Sequence, residues 1–282
     1  MKIIDTHQHL IYPARLKYSW CQNIAAFAGK PFRLEEYHAA ARGTGIAETL
    51  FMEADVDEPD MKAETDFFLK LAGQPESGIV GVLAACRPES EGFAECLESI
   101  QHPKLKGLRR VLHNQPDELL TLPLFAQNLG RLARTGLTFD LCVLARQLPL
   151  GAALVRQLPE VQFVLDHCGI PDLQRGGLDP WRQHIRELAE LPNVACKISG
   201  VVAYGPPDTV SAKTVEPYVV HCIECFGWDR VLFGGDWPVC QLTTTLARWV
   251  EIAREIVRTE SAERRRKLFS ENAGRIYRLK TG

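Results

Sequence analysis

MKIIDTHQHL opens the chain at residues 1–10: an apolar run that turns polar at Asp5 and closes on two histidines, His7 and His9. Lys2–His7 reads as a β-strand. Alternation in an extended segment places residues two apart on one face, so both imidazoles point the same way. Seven further β-rich runs follow: Glu48–Ala54, Ile79–Ala85, Leu105–Leu112, Leu137–Val143, Val161–His167, Val194–Ser199 and Val231–Asp236. Helical patterns separate them, among them Met61–Ala72, Leu124–Thr135 and Trp181–Leu191. Strands that alternate with helices of this length pair in parallel through right-handed crossovers. Eight such units favour closure into a (β/α)8 barrel (a TIM barrel), one domain over residues 1–282, rather than an open doubly wound sheet.

The 282 residues suit this architecture, which typically takes about 250. A hydrophobic fraction of 46% supplies a large core. The net charge of −2 gives no reason to expect a nucleic acid or an anionic membrane as partner. The basic run Arg264–Lys267 lies beside Glu260 and Glu263 in a helical pattern and reads as a solvated face. No apolar stretch is long enough to span a bilayer, and Asp5 interrupts the start too early for a signal peptide. Nine cysteines are scattered, several inside strand-like runs (Cys86, Cys142, Cys196), which suits reduced thiols and a cytoplasmic location. Cys222 and Cys225 have C-x-x-C spacing but no second pair, so a zinc or redox role is not expected of that motif.

In such a barrel, polar residues at the C-terminal strand ends carry the chemistry. His7 and His9 end the first strand, Glu53 the second, His167 the sixth and Asp236 the eighth. Two imidazoles on one face suit a metal ion or a polarised carbonyl. An acid that closes an apolar strand needs partners, or its pKa rises into the range of a general base. Arg109 and Arg110 are adjacent, so one faces the barrel mouth and the other an acid outside, without the sequence deciding which. Lys197, inside an apolar strand, is paired with an acid such as Asp166 or reaches substrate. The insert at residues 10–33 carries Tyr12, Tyr18, Trp20, Phe27 and Phe32 and reads either as an active-site lid or as an aromatic mini-core. Trp20 and Trp237 join Arg109 and Lys197 as candidate substrate contacts.

Six segments in order resemble the amidohydrolase superfamily, and within it the branch of sugar-lactone and pyrone-dicarboxylate lactonases (L-fuconolactonase and L-rhamnonolactonase-like proteins). They are IDTHQHL at 4–10, LKGLRRVLH at 105–113, FVLDHCGIP at 163–171, NVACKISG at 193–200, VLFGGDWPVC at 231–240 and SENAGRIYRL at 270–279. The resemblance implies a barrel that hydrolyses a lactone. It assigns catalysis to His7, His9, His167 and Asp236, with Asp236 as general base and acid, and substrate contact to Arg109. Where a metal is bound, it implies one divalent ion, zinc first, held by His7, His9, His167, Asp236 and Glu53. The fifth strand, Leu137–Val143, offers no histidine, and Lys104 and Lys106 lie at the wrong end of the fourth. A lysine-bridged pair of ions is therefore not expected, and metal-independent action is compatible. Ile170 and Gly235 stand where relatives often carry a lysine and a serine. The expected partner is a small lactone or sugar acid, selected by loops such as 10–33 and 200–216. A metal-dependent decarboxylase and a non-catalytic sugar-acid-binding barrel are the alternatives.

Overall fold

The computed structural model describes residues 1–205 and 210–279. Eight parallel strands lie in sequential order: β1 (Ile3–Gln8), β2 (Ile46–Met52), β3 (Ile79–Ala85), β4 (Leu105–Val111), β5 (Thr138–Cys142), β6 (Gln162–Leu165), β7 (Val194–Ile198) and β8 (Val231–Phe233). The seam between first and last strand closes through backbone bonds just past β8. Asp236 N–H donates to His7 O (2.7 Å) and His9 N–H to Trp237 O (2.8 Å), so the sheet is a barrel, as the strand count predicted. Part of the 200–216 loop, residues 206–209, lies outside the described residues.

Alternation along each strand sorts the side chains into two cores. Phe51, Phe139, Phe163 and Phe233 face outward into the layer covered by helices. These helices include α1 (Leu34–Ala41), α2 (Met61–Ala72), α3 (Phe93–Ser99), α4 (Pro123–Gly130), α5 (Leu148–Gln157), α6 (Trp181–Ala189), α7 (Ala212–Phe226) and α8 (Leu246–Ile256). Ile4, Leu50, Leu83, Val164, Ala195 and Leu232 fill the barrel's interior at its N-terminal end, together with Tyr277 and Leu279 from the C-terminal segment. Arg109, Asp140, Asp166, Lys197 and Asp236 continue the inward-facing positions of their strands, so a charged layer lies above the apolar one.

Several element ends differ from the sequence expectation. The sixth and eighth strands stop at Leu165 and Phe233. Asp166–Gly169 is a turn; past β8, Gly234 N–H still reaches Ile198 O of β7 (3.1 Å), while Gly235 N–H leaves the ladder for Asp5. The helix expected over Leu124–Thr135 ends at Gly130 and continues as a tighter turn over Arg131–Arg134.

The 10–33 insert is pinched at its base by a two-bond bridge between Ile11 and Phe32 (2.7 and 2.9 Å). Inside it, Leu16, Tyr18, Cys21 and Phe27 are buried. Its outer edge is tied down by Ser19 on Asp57 (2.7 Å) and by Trp20 Nε1–H donating to Ala54 O (2.7 Å). No helix among the described residues is long and apolar enough to cross a membrane, and their nine cysteines are all free thiols.

Candidate active site

The geometry begins with a bulge in β1. Between Asp5 and Gln8 the strand advances three residues while β2 advances two, from Thr49 to Phe51. One extra residue reverses the inward and outward faces. Ile4 therefore points inward below the bulge, and His7 and His9 point inward above it. Asp5 holds the bulge: its Oδ1 accepts from His7 N–H (3.0 Å) and Gly235 N–H (2.6 Å), and its Oδ2 from Tyr37 Oη (2.7 Å). A Cβ on Gly235 would fall on Asp5 Oδ2, so this packing has no room for a side chain there.

His7 Nε2 and His9 Nε2 converge to 3.1 Å, and they lie 3.7 and 3.5 Å from Asp236 Oδ1. His9 Nδ1–H donates to Met52 O (3.1 Å), which leaves the Nε2 lone pair facing the centre. His167 comes from the turn after β6, where His167, Cys168, Gly169 and Ile170 all have positive φ (45–69°). Left-handed backbone costs non-glycine residues about 1 kcal/mol each, a strain that clusters at functional sites. Here it aims His167 at Asp236, with Nδ1 3.0 Å from Ser199 Oγ and 4.0 Å from Asp236 Oδ2. Gly200, at φ 60°, makes this seat: a Cβ there would fall on His167 Nδ1 and within 2.8 Å of Asp236 Oδ2. Asp236 also has positive φ (54°), and neither of its buried carboxylate oxygens has a hydrogen-bond partner among the described residues.

Beneath lies the charged layer. Lys197, fully buried, contacts Asp140 (2.6 Å), Asp166 (3.0 Å) and His7 Nδ1 (3.2 Å). Tyr277 Oη also donates to Asp140 (2.8 Å). Arg109 is the inward-facing arginine. Its Nε donates to Glu53 Oε1 (2.5 Å), its Nη2 to Glu53 O (2.6 Å), and its Nη1 faces His7 Nε2 (3.3 Å) and Asp166 (3.6 Å). Arg110 points out to Glu89 (2.9 Å), an acid in the loop after β3 rather than on a helix.

Burial, reinforced by Lys197 and His167, holds His7 well below the usual imidazole pKa. Burial and then Arg109 take His9 down to about 3. His167 is also lowered, chiefly by burial. All three imidazoles are therefore neutral at pH 7. Burial raises Asp236 to about 6 against the pull of His167 and Arg109. Burial is the largest influence on Asp166 and would raise it, but Lys197, His7 and His167 together outweigh it and hold that carboxyl well below its ordinary value.

His9, Arg109, His167 and Asp236 meet at the floor of a cavity of about 240 Å³. Its walls combine Trp20, Ile24, Val239 and Leu242 with the polar groups of Asp55, His113, Asn114 and Tyr204. Two residues expected to touch substrate are not in this lining. Lys197 is sealed in the charged layer under His7, and Trp237 is buried outside the cavity against Phe32 and Tyr37. Arg109 reaches the cavity, but its donors turn toward Glu53, His7 and Asp166. Sequence reasoning passed over Asp140, although an acid inside the apolar run TFDLC is the same kind of signal as Lys197, its partner. Gly200 and Tyr277 gave no local signal, because what they touch is distant in sequence.

The donor set fits one divalent ion. His7 Nε2, His9 Nε2 and an oxygen of Asp236 lie within 4.8 Å of one another, as do atoms of His7, Asp166 and His167. Two nitrogens bound to a tetrahedral zinc stand about 3.3 Å apart, close to the 3.1 Å between His7 and His9. Four buried carboxylates, Glu53, Asp140, Asp166 and Asp236, face two buried cations, Arg109 and Lys197. Asp5 adds a fifth buried carboxylate beside them, so the layer carries an excess of negative charge, and with two unpartnered oxygens on Asp236 a divalent ion would offset part of it. Glu53 is committed to Arg109 and stands outside both groups of converging atoms.

The chain matches the family described as amidohydrolase over residues 4–279. It is 27% identical to the L-fucono-1,5-lactonase of Burkholderia ambifaria across 98% of this chain and 95% of that protein. A crystal structure of an amidohydrolase from Burkholderia multivorans with bound Zn superposes with a TM-score of 0.90 at 27% identity, covering 99% of this chain and all of that one. A 2,6-dihydroxybenzoate decarboxylase shares the fold at a TM-score of 0.68 and 14% identity, covering 99% of this chain and all of that one.

Proposed function

The chain belongs to the amidohydrolase family, and from that membership we propose that it is a lactonase, opening the ring of an uncharged sugar-derived or related lactone by hydrolysis. One observation carries the reading: Asp236 offers two unpartnered, buried carboxylate oxygens at the cavity floor, ringed by three neutral histidines. With its pKa near 6, Asp236 is ionised at neutral pH and still basic enough to take a proton from water. That water attacks the ester carbonyl, and the carbonyl oxygen gathers charge. A divalent ion on His7, His9 and Asp236 would polarise that carbonyl when bound. His167, seated by Ser199 and Gly200, faces the same space and orients the carbonyl. Asp236 then returns its proton to the departing ring oxygen.

The cavity walls support the substrate class. Trp20, Ile24 and Leu242 suit the apolar face of a ring, and Asp55, Asn114 and Tyr204 suit its hydroxyls. A dicarboxylate, or the carboxylate of a decarboxylase substrate, needs a guanidinium free to grip it, and Arg109 is bound to Glu53. The lactonase relatives support the same choice.

Acid release from a panel of neutral sugar lactones, followed with a pH indicator, tests the proposal. Asp236→Asn serves as the blank, and a chelator arm reports the need for an ion. Release that disappears in the variant is expected. Equal release by the variant, or none from any lactone, would overturn the assignment.

A further inference from the structure

Outside the cavity, three cysteines from distant parts of the chain meet. Alternation in β7 turns Lys197 into the barrel and Cys196 outward, toward the helices. Cys168 lies in the left-handed turn after β6, where Trp181 Nε1–H on α6 donates to its carbonyl (2.8 Å). Cys222 projects from α7 onto the same spot. Their three sulfurs lie within 4.8 Å of one another, and all three residues are fully buried.

We propose that Cys168, Cys196 and Cys222 form a binding site for a thiophilic ion that takes three sulfur ligands, monovalent copper or trivalent arsenic. Sulfurs about 2.3 Å from a common trigonal centre stand about 4.0 Å apart, so only a small contraction is needed. Among the described residues no histidine or carboxylate joins the group, which leaves four-coordinate zinc one donor short. Soft thiolates select copper(I) among the common metals. Charge separates the two ions, because a net charge in this apolar layer would be costly. Arsenous acid exchanges three As–O bonds for three As–S bonds and releases three waters, with no change of oxidation state and a neutral product. Copper(I) bound by three thiolates displaces three thiol protons and leaves a dianion, so of the two ions arsenic suits the apolar layer better. Since the sulfurs are sealed, entry requires local opening at α7, and uptake is slow.

The test uses reduced, chelator-treated protein, incubated without oxygen with copper(I) or with arsenite in separate arms. Native mass spectrometry gives the stoichiometry, and near-ultraviolet absorption reports sulfur-to-ion charge transfer. One ion per chain is expected in the wild type and in Cys225→Ser. Stoichiometric binding should disappear in Cys222→Ser and in Cys196→Ala, each with wild-type circular dichroism. Binding of one ion and not the other identifies the natural class and supports the site. X-ray absorption of the loaded wild type keeps the test independent of how the variants fold. Three sulfur neighbours support the site, whereas nitrogen or oxygen neighbours place the ion among the histidines and overturn it. Failure of both ions to bind, or undiminished binding in both variants, also overturns it.

Discussion

At the scale of single residues, the proposed catalysis rests on a few side chains whose poses are set by their neighbours. Asp236→Asn keeps the shape and removes the base. Turnover should fall about 10²–10⁴-fold with KM little changed, measured on whichever lactone the panel identifies. Gly200→Ala is the sharper test of geometry. The new methyl falls where His167 sits, so kcat should drop at least tenfold although no polar group is lost. Wild-type kcat in that variant would show that His167 need not hold its present position. That His7, His9, His167 and Asp236 gather at one end of the barrel was legible, because each stands at or just past the end of a strand that could be counted. Gly200, Asp5 and Tyr277 were not, because the reason for each is a partner between about 30 and 230 residues away. Lys197 and Trp237 had the right chemistry for substrate contact, but one residue of depth in the barrel separates lining from foundation.

At the scale of elements, β7 and α2 each bury an ionisable group that can be tested by stability. Lys197→Met on β7 leaves Asp140 without its cation and Asp166 with the more distant Arg109 (3.6 Å). Breaking a buried pair in this way costs about 3–5 kcal/mol, which denaturant unfolding would show. Glu64 on α2 is the opposite case. It is buried, with one oxygen unpartnered, and burial followed by the nearby Glu53 charge holds its pKa well above 4.5. The folded chain keeps this proton while the unfolded chain loses it above its ordinary value. Stability therefore falls as pH rises through that window, by about 1.4 kcal/mol per unit. Glu64→Gln should raise the Tm at pH 8 by several degrees and change it little near pH 4.5; equal shifts at both would refute the assignment. Strand and helix positions were legible to within a few residues. The bulge in β1 was not, since one extra residue in a ladder is visible only against the partner strand. The expected pairing of both histidines on one face held above the bulge, while Ile4 below it points the same way.

At the scale of the whole molecule, the barrel confines its charge imbalance to one layer between an apolar floor and the cavity. A divalent ion added to chelator-treated protein should therefore raise the Tm in proportion to the logarithm of its concentration. In Asp236→Asn that rise should shrink or vanish, and scanning calorimetry would show either. The architecture was legible because eight β-rich runs alternating with helices leave few topologies to choose from. The cavity was not, because its walls come from loops whose paths depend on tertiary contacts such as the Ile11–Phe32 pinch. The seam between β1 and the chain after β8 has one more effect. During synthesis the ribosome delivers the histidine pair more than two hundred residues before the acid at residue 236. The backbone bonds that join Asp236 to His7 and Trp237 to His9 tie the earliest translated part of the site to the latest. A chain cut short before Asp236 carries the histidines without the proposed base, so under the proposed mechanism it has no hydrolytic activity to release.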